Sequence, residues 1–301
     1  MKLIKRIEIE KPKNTYNLHV RNNNNYIANG TVVSNCHGVK SVELKKILCK
    51  ATNAHIRLGF TGTMHSSILD NWNTKSFLGP ILKEFSSGFL AEQGYISKCN
   101  INMLDLEYLR KKIDGTYDEV KDIVFTNEFR MDIIRDLTGH LDHNVLLLVG
   151  KVEKEGDVLD EYLKNELPDK EVVFLSGKDS VDVREEWRNK CENRNNIAMI
   201  ATYGIFQAGI NIPNLKYIIL ASPFKSKIRV LQSVGRALRK HSDKKNGAYI
   251  FDIHDHTNYF GKHGDIRYKH YRHEKFNVTN YLFEEQHSDE YDISEVFNSL
   301  D

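Results

Sequence analysis

No apolar run in these 301 residues approaches the roughly 20 consecutive residues that span a bilayer. The opening MKLIKRIEIEKPKN lacks the apolar centre of a secretion signal. The four cysteines, Cys36, Cys49, Cys99 and Cys191, show no paired spacing for zinc or for a disulfide framework. Apart from Asn22–Asn25 there is no low-complexity stretch, and no segment repeats at a fixed period. These absences argue against a membrane span, a disulfide-stapled domain and a solenoid, and predict a cytoplasmic, reducing location. Also missing is any G-x-x-x-x-G-K-S/T segment, the loop whose backbone amides cradle the β- and γ-phosphates of a nucleotide.

What is present is segregated charge. A charged fraction of 28% and a hydrophobic fraction of 40% are ordinary for a globular protein, and the length allows two domains. The net charge of +2 conceals a strong asymmetry. Residues 1–35 carry six Lys/Arg against two Asp/Glu; residues 225–275 carry thirteen against five, with six histidines. Residues 276–301 carry seven acids and no Lys or Arg, which reads as an acidic tail. The basic block suggests phosphate binding, with a solvated face balanced by that tail as the alternative.

Residues 3–9 and 16–20 alternate like strands, and the asparagine run is turn-forming. From Cys36 the pattern changes. Helical spacing over 42–51 leads to a short apolar strand over 56–63; residues 64–125 are mixed, with a strand near 101–106. A regular alternation follows, with strands at 144–150, 171–177, 197–202, 217–221 and 248–253. Helices are predicted at 127–141, 152–166, 181–194 and 228–241. Apolar strands separated by amphipathic helices predict a parallel α/β sheet.

Helix 228–241 (IRVLQSVGRALRKH) turns Gln232, Arg236 and Arg239 onto one stripe, because offsets of four and seven return to the same face. Two guanidiniums and an amide there could clamp a phosphate, although for an arbitrary helix a solvated basic face is the better reading. Here the surrounding residues matter. QSVGRALR resembles motif VI (QxxGRxxR) of superfamily-two helicases. IATYGIFQAGINIPNL stands where motif V belongs, GFTGT where motif III belongs, and CHGVKS where motif II ends. The run from YGIF through KSKI and VLQ to LRKH is similar to the UvsW-type recombination helicases of tailed phages, and the resemblance covers roughly residues 36–275.

That resemblance implies roles. Arg236 and Arg239 would be arginine fingers on the γ-phosphate, positioned with Gln232. Thr61 and Thr63 would couple nucleotide state to the strand path. Thr202 and Gly204, with Ser176 and Gly177 at an earlier strand end, would touch the nucleic-acid backbone. Where motif V often has an acid, this chain has Asn211. No Asp-Glu precedes Cys36 to hold magnesium.

Asn35 followed by Cys36 has a chemistry of its own. The Asn carboxamide can attack its own main-chain carbonyl and close a succinimide, while the Cys thiolate can accept an acyl group. A bare Asn-Cys dipeptide would default to an ordinary turn. In context, YNLHV and NYIANGTVVSN before Cys36 are similar to intein splicing blocks F and G, which end the Hint fold. Ser34 stands where many inteins have a His, as it does in cyanobacterial split inteins. The Asp and His those use in block F are Asn17 and Asn24 here; His19 could substitute or be a surface strand histidine.

The resulting expectation is a short all-β C-terminal split-intein segment at 1–35, then the C-terminal part of a RecA-like domain at 36–125. A second RecA-like domain of α/β class would fill 126–275, with the tail at 276–301. The chain would be the C-terminal precursor of an ATP-dependent DNA helicase, joined by trans-splicing to a partner carrying the P-loop, the Asp-Glu pair and the N-terminal intein piece. ATP and Mg2+ would bind only the spliced product. Expected partners are that half and DNA, with RNA–DNA hybrids open and no membrane. The rivals are an ATP-independent binding or annealing module with an inactive intein remnant and a restriction or remodelling motor. For the first, YKHYRHEKF (268–276) could supply backbone contact and stacking, although an amphipathic helix capping the domain is at least as good a reading of it.

Overall fold

The computed structural model describes residues 25–28, 31–35, 42–50, 56–61, 67–108, 112–208, 212, 214–222, 235, 241, 244, 246–285, 291–298 and 300. They fall into two compact units, residues 1–82 and 83–301.

In the first unit, β1 (Asn25–Ala28) and β2 (Thr31–Asn35) pair antiparallel, with Ala28 opposite Thr31 across two residues, the Asn-Gly dipeptide favoured in two-residue hairpins. β2 then pairs in parallel with β3 (Ile56–Phe60), setting Ser34 opposite Gly59 and Asn35 opposite Phe60. The expected separate all-β segment is therefore not seen: its two strands share one sheet with β3. The other elements are α1 (Val42–Lys50) and α2 (Ile68–Leu78). Ser67 caps α2 by accepting from the Asp70 amide, and Gly79 ends it at a φ of 87°, a conformation costly for other residues. Three large apolar side chains of α2 stand in solvent: Ile68, Leu69 and Trp72.

The second unit is built on seven parallel strands in the order β10–β4–β9–β8–β5–β7–β6. These are β4 (Cys99–Glu107), β5 (Val145–Val149), β6 (Glu171–Leu175), β7 (Ile197–Thr202), β8 (Tyr217–Leu220), β9 (Ala248–Asp255) and β10 (Asn277–Glu284). The strand β5, VLLLV, is buried throughout because helices cover both faces. Its alternate residues serve two cores. Leu146 and Leu148 join Met199, Ile218 and Ile250 on one face. Val145, Leu147 and Val149 join Ile200, Ile219 and Phe251 on the other.

The helices are α3 (Ser87–Glu92), α4 (Tyr117–Phe125), α5 (Glu128–His140), α6 (Asp157–Glu166), α7 (Val181–Asn193), α8 (Tyr203–Ala208), α9 (Asn258–His273) and α10 (Ser294–Asn298). Local sequence starts them: Thr116 and Glu119 form a reciprocal capping box on α4, while Asn127 and Ser180 cap α5 and α7. A π-turn at Val152–Gly156 leads into α6, where the sequence suggested one continuous helix.

Two expected boundaries move. The strand near 101–106 exists, but it pairs with β9 and β10, so residues 83–125 fold with the second unit. Within 276–301, expected as an acidic tail, β10 forms a sheet edge and α10 buries Val296 in the core. Apart from Gly235 and His241, the expected helix 228–241 lies outside the described residues, as do the expected strands at 3–9 and 16–20. Among the described residues no helix is long and apolar enough to cross a membrane.

Candidate functional site

All seven strands of a parallel sheet end on one edge, where ligands of open α/β sheets gather. β6 and β7 are neighbours, with Leu175 opposite Ala201, so Ser176–Gly177 and Thr202–Gly204 continue side by side off that edge. Ser176 is buried and closes its own turn: its amide donates to Asp179 Oδ2 at 2.6 Å, and its Oγ accepts from the Lys178 amide at 3.3 Å. Thr202 is half-buried, whereas Gly177 and Gly204 are exposed. A Cβ on either glycine would meet nothing within 4 Å, so no neighbour inside the described protein demands glycine there.

Buried ion pairs set the rest of the edge. Arg130 on α5 donates from Nε to Asp255 Oδ1 at 2.9 Å and also to the Ala221 carbonyl, so it bridges the ends of β8 and β9. The Tyr108 hydroxyl donates to the same Asp255 oxygen at 2.6 Å; burial, then the Asp255 charge, pushes that phenol well above its usual range. At the end of β5 the Gly150 amide donates to Glu155 Oε2 at 2.7 Å, and Glu155 is paired with buried Lys121. Together Phe125, Arg130, Val149, Glu155, Ala221 and Ser222 line a small recess beside these strand ends.

A third cluster was not anticipated from the sequence. Asp105 on β4 lies opposite His254 on β9, and His256 follows just past that strand. Both imidazoles reach one carboxylate oxygen, His254 Nδ1 at 2.6 Å and His256 Nε2 at 2.9 Å from Asp105 Oδ1. The Asn280 amide of β10 donates to Oδ2 at 3.0 Å. Burial would raise the Asp105 carboxyl, but these hydrogen bonds outweigh it and hold the group below its ordinary range. Burial would likewise lower His254, but Asp105 and the Gly261 carbonyl raise it above. The signal available in the sequence was H-x-H at a strand end; Asp105 lies 149 residues away.

Ser34 and Asn35 are the last two residues of β2, and Thr61 follows β3, so these residues share one end of the first unit's sheet. His19, Cys36, Thr63, Gln232, Arg236 and Arg239 lie outside the described residues, as do Asn17, Asn24 and Asn211.

The chain matches the helicase conserved C-terminal domain family over residues 129–241. It is 31% identical over 267 residues to the ATP-dependent DNA helicase UvsW of Enterobacteria phage T4, covering 81% of this chain and 52% of that protein. A putative ATP-dependent RNA helicase of Acanthamoeba polyphaga mimivirus is 25% identical, over 74% of this chain and 42% of its own length. The chain thus spans about half or less of these curated relatives. Among solved structures, T4 UvsW superposes with a TM-score of 0.53 at 24% identity, covering 84% of this chain and 53% of that one. A fragment of a putative type I restriction HsdR subunit from Vibrio vulnificus gives a TM-score of 0.63 at 16% identity, over 85% and 48%. Most of the chain is therefore a superfamily-two helicase-like domain related to UvsW, carried on a RecA-like parallel sheet.

Proposed function

We propose that this chain is the C-terminal precursor of an ATP-dependent DNA helicase, completed by trans-splicing at Asn35 and Cys36. The observation that carries the reading is β2. It lies parallel to β3 and ends at Asn35, so Ser34 and Asn35 hold the two places before Cys36 that a motif II Asp-Glu would take. The exposed Ile68, Leu69 and Trp72 of α2 add support, since a partner half would cover such a face.

The chain's own residues fit only part of a nucleotide site. Gln232, Arg236 and Arg239 match motif VI, and Thr61 and Thr63 match motif III, but no G-x-x-x-x-G-K-S/T segment is present and no Asp-Glu precedes Cys36. ATP with Mg2+ would supply the phosphoryl transfer that drives the motor, and this chain would contribute the guanidiniums that stabilise its charge. Exposed Gly177 and Gly204 beside Thr202 would let a phosphodiester backbone approach closely.

In splicing, the Cys36 thiolate attacks the acyl carbon that joins the partner half to its intein piece, forming a thioester and releasing the first residue of that intein piece. The Asn35 side-chain nitrogen attacks its own carbonyl, breaking the bond to Cys36 and leaving a succinimide. The freed Cys36 amine then takes the acyl group from sulfur, forming an amide. Ser34 would stand beside the scissile amide, with His19 as the candidate proton donor. Mixed with its partner under reducing conditions, the chain should yield a ligated product and a peptide of residues 1–35, read by mass spectrometry. Cys36→Ala should block ligation; Asn35→Ala should stall at a branched, thiol-sensitive species. Equal ligation by wild type and Cys36→Ala would overturn the reading. A binding module with an inactive intein remnant would then move ahead, favoured by exposed Lys262, Lys269 and Arg272 beside Tyr259 and Tyr268 on α9.

A further inference from the structure

We propose that Asp105, His254 and His256 form a binding site for a first-row transition-metal ion, Zn2+ in the first instance. The ligand atoms come from β4, from β9 and from the residue just past β9, and lie within 4.8 Å of one another. Two imidazoles with one carboxylate suit zinc, nickel, cobalt or copper, whereas calcium and magnesium prefer all-oxygen sets. Three protein ligands leave one position for water, as in sites that keep an open coordination place.

The outer groups are those a metal site needs. His254 Nε2 faces the Gly261 carbonyl at 2.9 Å, so a proton kept there leaves Nδ1 to coordinate. The His254 ring is fixed by packing: an ideal Cβ on Gly264 would sit 1.8 Å from its Cδ2, so only glycine leaves room on α9. Asn280 holds the second oxygen of Asp105, leaving Oδ1 directed at the imidazoles. A tetrahedral site with bonds of about 2.0–2.1 Å spaces its ligands by about 3.3 Å. The present contacts of 2.6 and 2.9 Å would open by roughly half an ångström to admit the ion. His256, whose side chain is 37% exposed, is free to make that adjustment and gives the open side of the site. A metal there would tie β4 to β9 directly and to β10 through Asn280.

The test uses the metal-stripped full chain titrated with Zn2+ by calorimetry, and with Co2+ for the visible absorption of a tetrahedral ion. One equivalent should bind. His256→Asn, at the half-exposed ligand, should weaken it at least about tenfold, and Asn280→Ala by a smaller factor. Asp105→Asn should also weaken it while keeping the side-chain shape. The paired change His270→Asn and His273→Asn on α9 should leave the affinity unchanged. Circular dichroism shows whether each variant remains folded. Equal affinity in wild type and folded His256→Asn, loss of the equivalent only in the α9 pair, or no stoichiometric binding by the wild type would each overturn the proposal.

Discussion

Arg267→Met should unfold the second unit far more easily than its single lost charge suggests. Arg267 on α9 and Asp252 on β9 are 1% and 0% exposed at their side chains. The guanidinium donates to both carboxylate oxygens at 2.8 Å and to the Ile253 carbonyl at 3.1 Å, while the Tyr271 hydroxyl donates to Oδ2 at 2.6 Å. Methionine fills the volume but leaves Asp252 a buried carboxylate with the tyrosine as its remaining donor in this network. Breaking one side of a buried pair costs about 3–5 kcal/mol. With a urea dependence of about 2–3 kcal/mol per molar, the midpoint should fall by about 1–2.5 M. The assay is urea unfolding in a Trp72→Phe background, so that Trp187, packed against the second unit's core, is the sole tryptophan reporter. Adding Asp252→Leu should recover most of the loss, because an apolar pair is no longer an unpaired charge. A loss below about 1 kcal/mol for Arg267→Met would refute the reasoning, since the carboxylate would then have found water or neutralised at little cost.

In metal-free buffer the Asp105–His254 pair should impose a pH window on stability. His254 is raised above 6.5, so its contribution is full below its unfolded value and is lost as pH rises through the folded one. Asp105 is lowered below 3.8, so its contribution holds above its unfolded value and is lost as pH falls through the folded one. The maximum lies between, and Asp105→Asn should flatten both flanks; His256, Arg267, Asn280 and the Gly261 carbonyl are the other groups acting on the pair. An unchanged profile in Asp105→Asn, measured by thermal unfolding, would count against the pairing. The unspliced chain should show background ATP turnover with or without DNA. In the spliced product, Arg236→Ala and Arg239→Ala should each cut turnover by about a thousandfold or more while DNA affinity at fixed salt persists. Lost DNA binding with normal turnover would reassign those arginines to the basic tract.

The legible parts of the fold were those whose signal is local. Strands β5 to β9 are apolar because both faces are covered, and the sequence placed each within a few residues. Less legible were elements stabilised by distant or polar partners. α9 buries Arg267 by pairing it with Asp252, so its face has no continuous apolar stripe to find. β10, mostly exposed and with only Phe283 buried, lacks the apolar run of the other strands until β4 is beside it. At the site, Ser176 and Thr202 were legible as strand ends. That Ser176 uses its hydroxyl on its own turn was not, because it depends on Asp179 and Lys178 closing behind it.

The place of β4 in the sheet has a kinetic meaning. Its neighbours are β9 and β10: Cys99 pairs with Ala248, and Asn100 with Asn277, 177 residues later. During synthesis at about 5–20 residues per second, β4 waits about 7–30 s for its first partner. Over that interval a nine-residue segment with buried Ile101, Met103, Leu104 and Leu106 has bare edges on both sides. β5, β6, β7 and β8 can assemble meanwhile, since all four have emerged by residue 220. The nascent chain should therefore be most prone to aggregate between those two moments, and a stall just before Ala248 should make it a substrate for holding chaperones.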